Sequence, residues 1–444
     1  MKIKLSVPIL LFCCINVFSQ QSIDLQTCIE TGLERNFDIK IIRNTQQISD
    51  NNHSVGNAGM LPTLDLNASY SGTNNNIDQF PANGNDKISN SGVNNSGFDL
   101  GISLNWTIFD GFQMFANYSR LAELKKIGEL NTRFEIENFV SNLAAEYYNL
   151  VQQYNRERNL RSAVRLSKER LRIVEARYNI GSMSRLDLQQ AKVDFKADSS
   201  KLIKQQENLF TSQVKINQLL ANDVPTRRIS PVDTVIVFNS LLDRDQLWNQ
   251  VEQKNSIISL AKSEQNISII DLQKAQSKNY PYIRLSAGYG YSADKYGLST
   301  LNRQNSLGMN YGLTLGFNLF DGLNKIREQR NAKLSIENKN LQFQQLVLSL
   351  KSDFSNMWMS YHNNLGLVML EEESLENAHE NYDIAIERYK LGDLSGIELR
   401  EAQNSLLEAE ERLIQAQYDT KLCEISLLQI SGNVSQLFKT AQKF

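Results

Sequence analysis

The residue types able to do chemistry are sparse in this 444-residue chain. Its three histidines, His53, His362 and His379, stand at no metal-ligand spacing with one another or with Cys. No G-x-x-x-x-G-K-[ST], H-E-x-x-H or G-x-S-x-G occurs, and Gly288-Tyr289-Gly290 falls in an alternating run rather than a phosphate loop. The sequence therefore offers no support for an enzyme and names no cofactor or metal. Charged and hydroxyl groups do recur in concert in two stretches 211 positions apart, RYNIGSMSRLDL from Arg177 and RYKLGDLSGIEL from Arg388. Both read R-Y-x-x-G-x-x-S-x-x-[DE]-L. Gly181 and Gly392 suit the left-handed turn that stops a helix, and Ser184 and Ser395 suit the start of the next. Asp187 and Glu398 follow the serines by three, the spacing of a capping box. Arg177 and Arg388 fall in a last helical turn, where a cation favours the helix dipole. Glu401 stands outside this local chemistry, and only a first-turn preference for acidic residues accounts for it.

These tips need long elements to hold them. Residues 112–179 contain no proline and one glycine, Gly128, so they predict a single helix of about 100 Å at 1.5 Å per residue. After the first tip Leu188, Phe195, Leu202, Leu209 and Ile216 recur every seven residues. After the second, Leu399, Leu406, Leu413, Thr420 and Leu427 do so, with Ala402, Ala409, Ala416, Cys423 and Ile430 as a mostly small partner row. A seven-residue period with small partners predicts closely packed, coiled-coil-like helices. The run Glu371 to Glu373 reads as a solvated face.

The second half of the chain repeats the first. LNWTIFDG from Leu104 matches LGFNLFDG from Leu315 at the same offset of 211, whereas upstream, where Asn36 pairs with Asn255 and Pro62 with Pro281, the offset is 219. This organisation gives a secretory signal at 1–19; a first repeat at 20–220, with strands about 62–71 and 98–109, the long helix 112–179 and its tip 180–184; and a connector at 221–242. A second repeat follows at 243–432, with strands about 282–292 and 310–320, the long helix 323–390 and its tip 391–395, and then a tail at 433–444. Thr234 to Val237 predicts one small strand in the connector. Lys2 and Lys4 before the apolar run Leu5 to Phe18, with Val17 and Ser19 preceding the cut, mark the signal. Cys13 and Cys14 lie inside that run, which leaves open whether either is lipidated. Cys28 and Cys423 read as small buried apolar residues. A net charge of −2 gives no support for a nucleic-acid partner.

The strands alternate. Leu64, Leu66, Ala68 and Tyr70, then Phe98, Leu100, Ile102, Leu104, Trp106 and Ile108, share a face opposed by Asp65, Asn67, Ser69, Asp99, Ser103 and Asn105. Ile283, Leu285, Ala287, Tyr289 and Tyr291, then Tyr311, Leu313, Leu315, Phe317 and Leu319, repeat the pattern. A soluble sandwich would bury that face and a membrane barrel would turn it to lipid. Eleven residues from Phe98 to Ile108 favour the barrel, yet four strands cannot close, so copies must associate.

The duplicated halves, the lipid-type strand pairs, the I-F-D-G and L-F-D-G corners and the two tips together resemble the TolC-type outer-membrane efflux proteins. The resemblance covers the mature chain nearly end to end. It implies a mainly α fold with a small β part: a homotrimer whose twelve-stranded transmembrane β-barrel, set in outer-membrane lipid, continues as a twelve-helix α-barrel tube across the periplasm. Helices spaced ~10 Å around such a ring leave roughly 28 Å of lumen. Also implied are a periplasmic adaptor (membrane fusion protein) docked at the tips, contacting Gly181, Ser184, Gly392, Ser395, Arg177 and Arg388, and an inner-membrane pump of RND, ABC or MFS type. By position Glu398 and Glu401 correspond to carboxylates at the family's periplasmic entrance; the aligned first-repeat residues are Asp187 and Gln190. Two departures stand out: Thr107 and Asn318 where relatives often carry proline before the corner, and Leu394 where the family has an arginine that ties the entrance shut. The function implied is a passive exit duct for small molecules or polypeptide. The alternatives are a secreted trimeric coiled coil of structural or adhesin-like type and, weakened by the presence of two tips, the adaptor itself.

Overall fold

The computed structural model describes residues 21–80, 82 and 86–437. The signal at 1–19, its two cysteines and the terminal Phe444 lie outside the described residues. In order the chain forms β1 (Gln21–Ile23), α1 (Leu25–Arg35), α2 (Phe37–Asn52), β2 (Thr63–Gln79), β3 (Ile88–Asp110), α3 (Gln113–Asn179) and α4 (Arg185–Leu219). There follow β4 (Ile229–Pro231), α5 (Arg244–Lys254), α6 (Ser256–Ser277), β5 (Tyr282–Lys295), β6 (Arg303–Gly316), α7 (Asn324–Leu391) and α8 (Gly396–Ile430). Among the described residues two compact units each draw on both repeats: one takes those up to 40, 135–255 and those from 350 onward, the other those in 41–134 and 256–349.

In the second unit the strands make one antiparallel sheet in the order β2-β3-β5-β6. Registration across all four carries the alternation from strand to strand: Leu66 opposes Ile102, Ile102 opposes Tyr289 and Tyr289 opposes Met309. The adjoining row is Asp65, Ser103, Gly288 and Asn310. The result is a sheet with one apolar and one polar face. Leu64, Leu66, Met309, Leu313 and Leu315 on the apolar face are each about 70 % exposed in the single chain.

Two strand expectations need correction. β2 and β3 extend through the Asn-, Ser- and Gly-rich stretch to Gln79 and back from Ile88, well beyond 71 and 98, because main-chain pairing between hairpin partners needs no apolar side chains. β6 ends at Gly316, so Phe317 and Leu319 lie past it. β5 starts at Tyr282, opposite Gly316, and β6 has no second neighbour in this sheet, whereas β3 is paired as far as Asp110. At both corners the carboxylate three residues before the long helix accepts from its first turn, Asp110 from the Met114 N–H at 3.0 Å and Asp321 from the Lys325 N–H at 2.9 Å. The long helices run Gln113–Asn179 and Asn324–Leu391, within a residue of the spans expected.

The first unit holds the main core, where Cys28, Ile29, Leu143, Tyr147, Leu150, Ile216, Leu220 and Ile229 are buried together. The connector's strand is β4, pairing in parallel with β1, and not Thr234 to Val237. That run is held otherwise: the Thr234 carbonyl accepts from Asn155 at 3.0 Å, and Ile236 is buried in the core. The paired Asn36 and Asn255 do the same job in each repeat. Each stops a helix and donates its side-chain amide to the end of another, Asn36 to the Leu219 carbonyl at 3.0 Å and Asn255 to that of Ile430 at 2.8 Å. Cys28 and Cys423 are free and buried, and burial pushes the Cys28 thiol up to about 12.

Candidate functional site: the two helical tips

The tips close as their residues dictate. At the first, the Gly181 N–H donates to the Tyr178 carbonyl and the Ser182 N–H to that of Arg177; at the second, Gly392 donates to Tyr389 and Asp393 to Arg388. This is the Schellman ending, which needs a left-handed residue, and Gly181 and Gly392 have φ of +79° and +89°. No atom lies within 4 Å of a Cβ built at either, so backbone conformation alone demands glycine there.

Both capping boxes form. The Ser184 hydroxyl accepts from the Asp187 N–H at 3.2 Å while the Asp187 carboxylate accepts from the Ser184 N–H at 3.1 Å. Ser395 and Glu398 exchange the same pair at 3.2 and 2.9 Å. Hydrogen bonds from Ser395, with Arg388 nearby, hold the Glu398 carboxyl below the usual glutamate range. A depressed carboxylate stabilises the folded tip above its unfolded pKa, and that contribution is lost as pH falls through its folded value. Protection of the first amides of α8 against hydrogen exchange, taken relative to the intrinsic exchange rate at each pH, is therefore expected to fall on acidification below the ordinary glutamate range. Glu398→Gln, which keeps the box and loses the titration, should flatten that dependence. The same dependence in both proteins would refute the assignment.

The two arginines of the motif part ways. Arg177 crosses from the first tip to the second, donating to the Lys390 carbonyl at 3.1 Å and lying 5.4 Å above the Tyr389 ring. It thereby serves the C-terminal carbonyls of the other hairpin's helix. Arg388 stays local, paired with Asp393 at 3.0 Å. Tyr389 is buried with Leu399, Ala402 and Leu406, its hydroxyl without a hydrogen-bond partner among the described residues, whereas its counterpart Tyr178 is exposed. Leu394, in place of the family's arginine, packs against that same cluster. Glu401 is exposed and makes no ion pair or hydrogen bond among the described residues.

Sequence reasoning missed two features. Ile180 and Leu186 at the first tip and Leu391 and Ile397 at the second are all more than 70 % exposed, an apolar pair at matched positions of each tip. Their signal was available, since those positions of the motif hold only Ile or Leu in both copies. The second is a pair of buried ionic ties behind the tips. Asp198 of α4 receives Arg400 of α8 through two hydrogen bonds of 2.7 Å, and Asp194 pairs with Arg170 of α3. Among the described residues no cluster of three or more His, Cys, Asp or Glu could hold a metal.

A model of the family described as outer membrane efflux protein matches this chain twice, over residues 28–222 and 249–433, one match in each repeat. The chain belongs to that family. This efflux protein is 19 % identical over 396 residues to the outer membrane protein TolC of Escherichia coli, covering 85 % of this chain and 76 % of that one. It is 20 % identical over 340 residues to the outer membrane efflux protein BepC of Brucella suis, covering 76 % and 72 %. Among solved structures, the CmeC outer membrane channel of Campylobacter jejuni superposes with a TM-score of 0.76 at 17 % identity, over 94 % of this chain and 89 % of that one. The mainly helical fold with a smaller strand part is shared with such channels, and an outer-membrane efflux channel is the function the family assigns. Secreted coiled coil and adaptor are thereby set aside.

Proposed function

We propose that three copies of this efflux channel close one twelve-stranded barrel in the outer membrane, continued by a twelve-helix tube, and serve as a passive exit duct for small molecules or polypeptide. The observation that carries this reading is the open sheet β2-β3-β5-β6, with one continuous exposed apolar face and free edges at β2 and β6. Four strands leave two edges unsatisfied, and lipid tolerates no unpaired edge, so the sheet needs further copies to close. Apolar residues would then face lipid and the Asp-, Asn-, Ser- and Gly-rich face would line the lumen. No helix among the described residues is long and apolar enough to cross a membrane.

The tips suit the periplasmic mouth of such a duct. Ile180, Leu186, Leu391 and Ile397 offer apolar contacts to an adaptor's helical hairpin, on turns shaped by Gly181, Ser184, Gly392 and Ser395. Arg177, bridging the two tips of one copy, would restrain the mouth where Leu394 cannot. Glu401, unpaired, and Glu398, Asp187 would gather at the mouth by threefold repetition and favour cations. Nothing in the motifs binds nucleotide, so energy and choice of cargo fall to an inner-membrane pump.

Purified protein is expected to sediment as a trimer in detergent and to conduct once inserted in a planar bilayer, with Glu398→Ala/Glu401→Ala lowering its cation preference. A monomer that conducts nothing would overturn the duct. Unchanged reversal potentials in a salt gradient would remove the carboxylates from the mouth.

A further inference from the structure

The apolar face of the β5–β6 hairpin carries no charge from Leu315 to Asn305 on β6 or from Ile283 to Ala293 on β5. The next residues of that face are Arg303 and Lys295, and they stand directly opposite one another in the register. Like charges so placed repel and destabilise a strand pair. Both side chains are exposed. Lys295 opposes Ser96 on β3, and the Arg303 Nε donates to the Asn305 side-chain oxygen at 3.0 Å. Asp294 belongs to the other face, where its carboxylate lies 2.8 Å from a Cβ built at Gly97. Asp78 of the longer hairpin sits six residues past Gly72, the β2 residue of the same row, or about 20 Å further out, and is engaged by Lys87 at 2.8 Å. Among the described residues neither the Lys295 ammonium nor the terminal nitrogens of Arg303 have a partner.

Nothing in the fold asks for this pair. Through the repeat offsets of 219 and 211 the matching residues of the first repeat are Asn76 and Gly92, and there the Gly92 N–H donates to the Asn76 side chain at 2.9 Å. Depth in the membrane supplies a reason instead. β6 leads into α7 from its Leu315 end, so Arg303 stands at the end remote from the helices. It is about 40 Å along the strand from Leu315, or about 31 Å of height at a tilt near 40°. The apolar band of a membrane barrel is about 25 Å tall, which puts the two cations at the headgroups of the outer leaflet. The row just below them holds Tyr70 beside Phe98, aromatics of the kind that mark such an interface.

We propose that Lys295 and Arg303 clamp a phosphate on the sugar headgroup of outer-leaflet glycolipid, one site in each copy. The inference rests on the lipid-facing barrel proposed above and gives that barrel a headgroup ligand. With its Nε held by Asn305, the Arg303 guanidinium keeps both terminal nitrogens for two phosphate oxygens, and Lys295 adds a point charge from the neighbouring strand. An anion between them turns one repulsion into two attractions. Ser96, opposite Lys295, offers a hydroxyl donor alongside. The face is the lipid-facing one, so its phosphate comes from a lipid rather than from free anion in the medium.

Binding of lipid A to the full-length protein in detergent, followed by native mass spectrometry, tests it. The parent should bind phosphorylated lipid A, and Lys295→Gln/Arg303→Gln should bind it at least about tenfold more weakly. Dephosphorylated lipid A should bind parent and variant equally poorly. Lys295→Arg/Arg303→Lys, which keeps one of each cation, should bind as the parent does. So should Arg227→Gln/Arg228→Gln, which removes two exposed charges from the connector instead. Equal affinity of the parent and Lys295→Gln/Arg303→Gln, or of the parent for the two forms of lipid A, would overturn the site. Displacement of the lipid by millimolar inorganic phosphate would overturn its assignment to lipid. In each case a trimer that conducts leaves the barrel standing, whereas a parent that stays monomeric and conducts nothing would overturn both.

Discussion

Met309→Arg is expected to abolish assembly in the outer membrane, while Asn310→Arg, one residue along the same strand, leaves it largely intact. Met309 is 69 % exposed near the middle of β6 and ends the four-strand apolar row that runs through Leu66, Ile102 and Tyr289. A guanidinium at the bilayer midplane costs about 2–4 kcal/mol, and the proposed trimer would meet that cost three times. Asn310 ends the row of Asp65, Ser103 and Gly288 on the opposite face, which in the proposed barrel lines the lumen, where an added cation would meet water. Trimer recovered from outer-membrane fractions is the measurement. Equal yields from the two variants would mean that this face does not meet lipid.

Arg400→Ala should loosen the packing of the two hairpins on each other behind the tips far more than any tip substitution. Asp198 is 1 % exposed in its side chain and receives both guanidinium nitrogens of Arg400 at 2.7 Å, linking α4 to α8. Removing the arginine strands a buried carboxylate, which costs about 3–5 kcal/mol. Amide exchange in α4 and α8 should accelerate by roughly two to four orders of magnitude where it proceeds by local opening. Asp198→Leu/Arg400→Met removes both charges and should recover most of the protection, since a well-packed apolar pair often does as well as a buried ionic one. Exchange that is unchanged in the single variant would show that Asp198 is hydrated in solution.

The ionic tie also marks where sequence reading stopped. In the second repeat the row three residues after Leu399, Leu406 and Leu413 is Ala402, Ala409 and Ala416, small and legible as a helix seam. The same row in the first repeat is Ala191, Asp198 and Gln205, all buried. Read along the chain, Asp198 and Gln205 are unremarkable helix-surface residues. They are buried against other helices: Asp198 is tolerated because α8 brings Arg400, and Gln205 because α3 brings Gln153, whose carbonyl and side-chain oxygen accept from its amide at 3.0 and 2.8 Å. The connector strand failed for a related reason: Thr234 to Val237 has the composition of a strand, yet the edge presented by Gln21–Ile23 is taken by Ile229–Pro231.

The tips themselves were determined almost wholly by local sequence. Gly181 and Gly392 are the residues a left-handed helix ending requires, and a serine with a carboxylate three residues on closes a box within one turn, so neither depends on anything distant. The alternation in the strands likewise set which face is apolar, and the repeat offsets set the order of elements. Tertiary structure decided what those local signals leave equal. Arg177 and Arg388 occupy the same motif position, but Arg177 reaches the Lys390 carbonyl and the Tyr389 ring while Arg388 turns back to Asp393; Tyr389 is buried and Tyr178 is not. The reason is that capping and turn energies act over a few residues, whereas burial and long-range ion pairing depend on which helix the fold lays alongside.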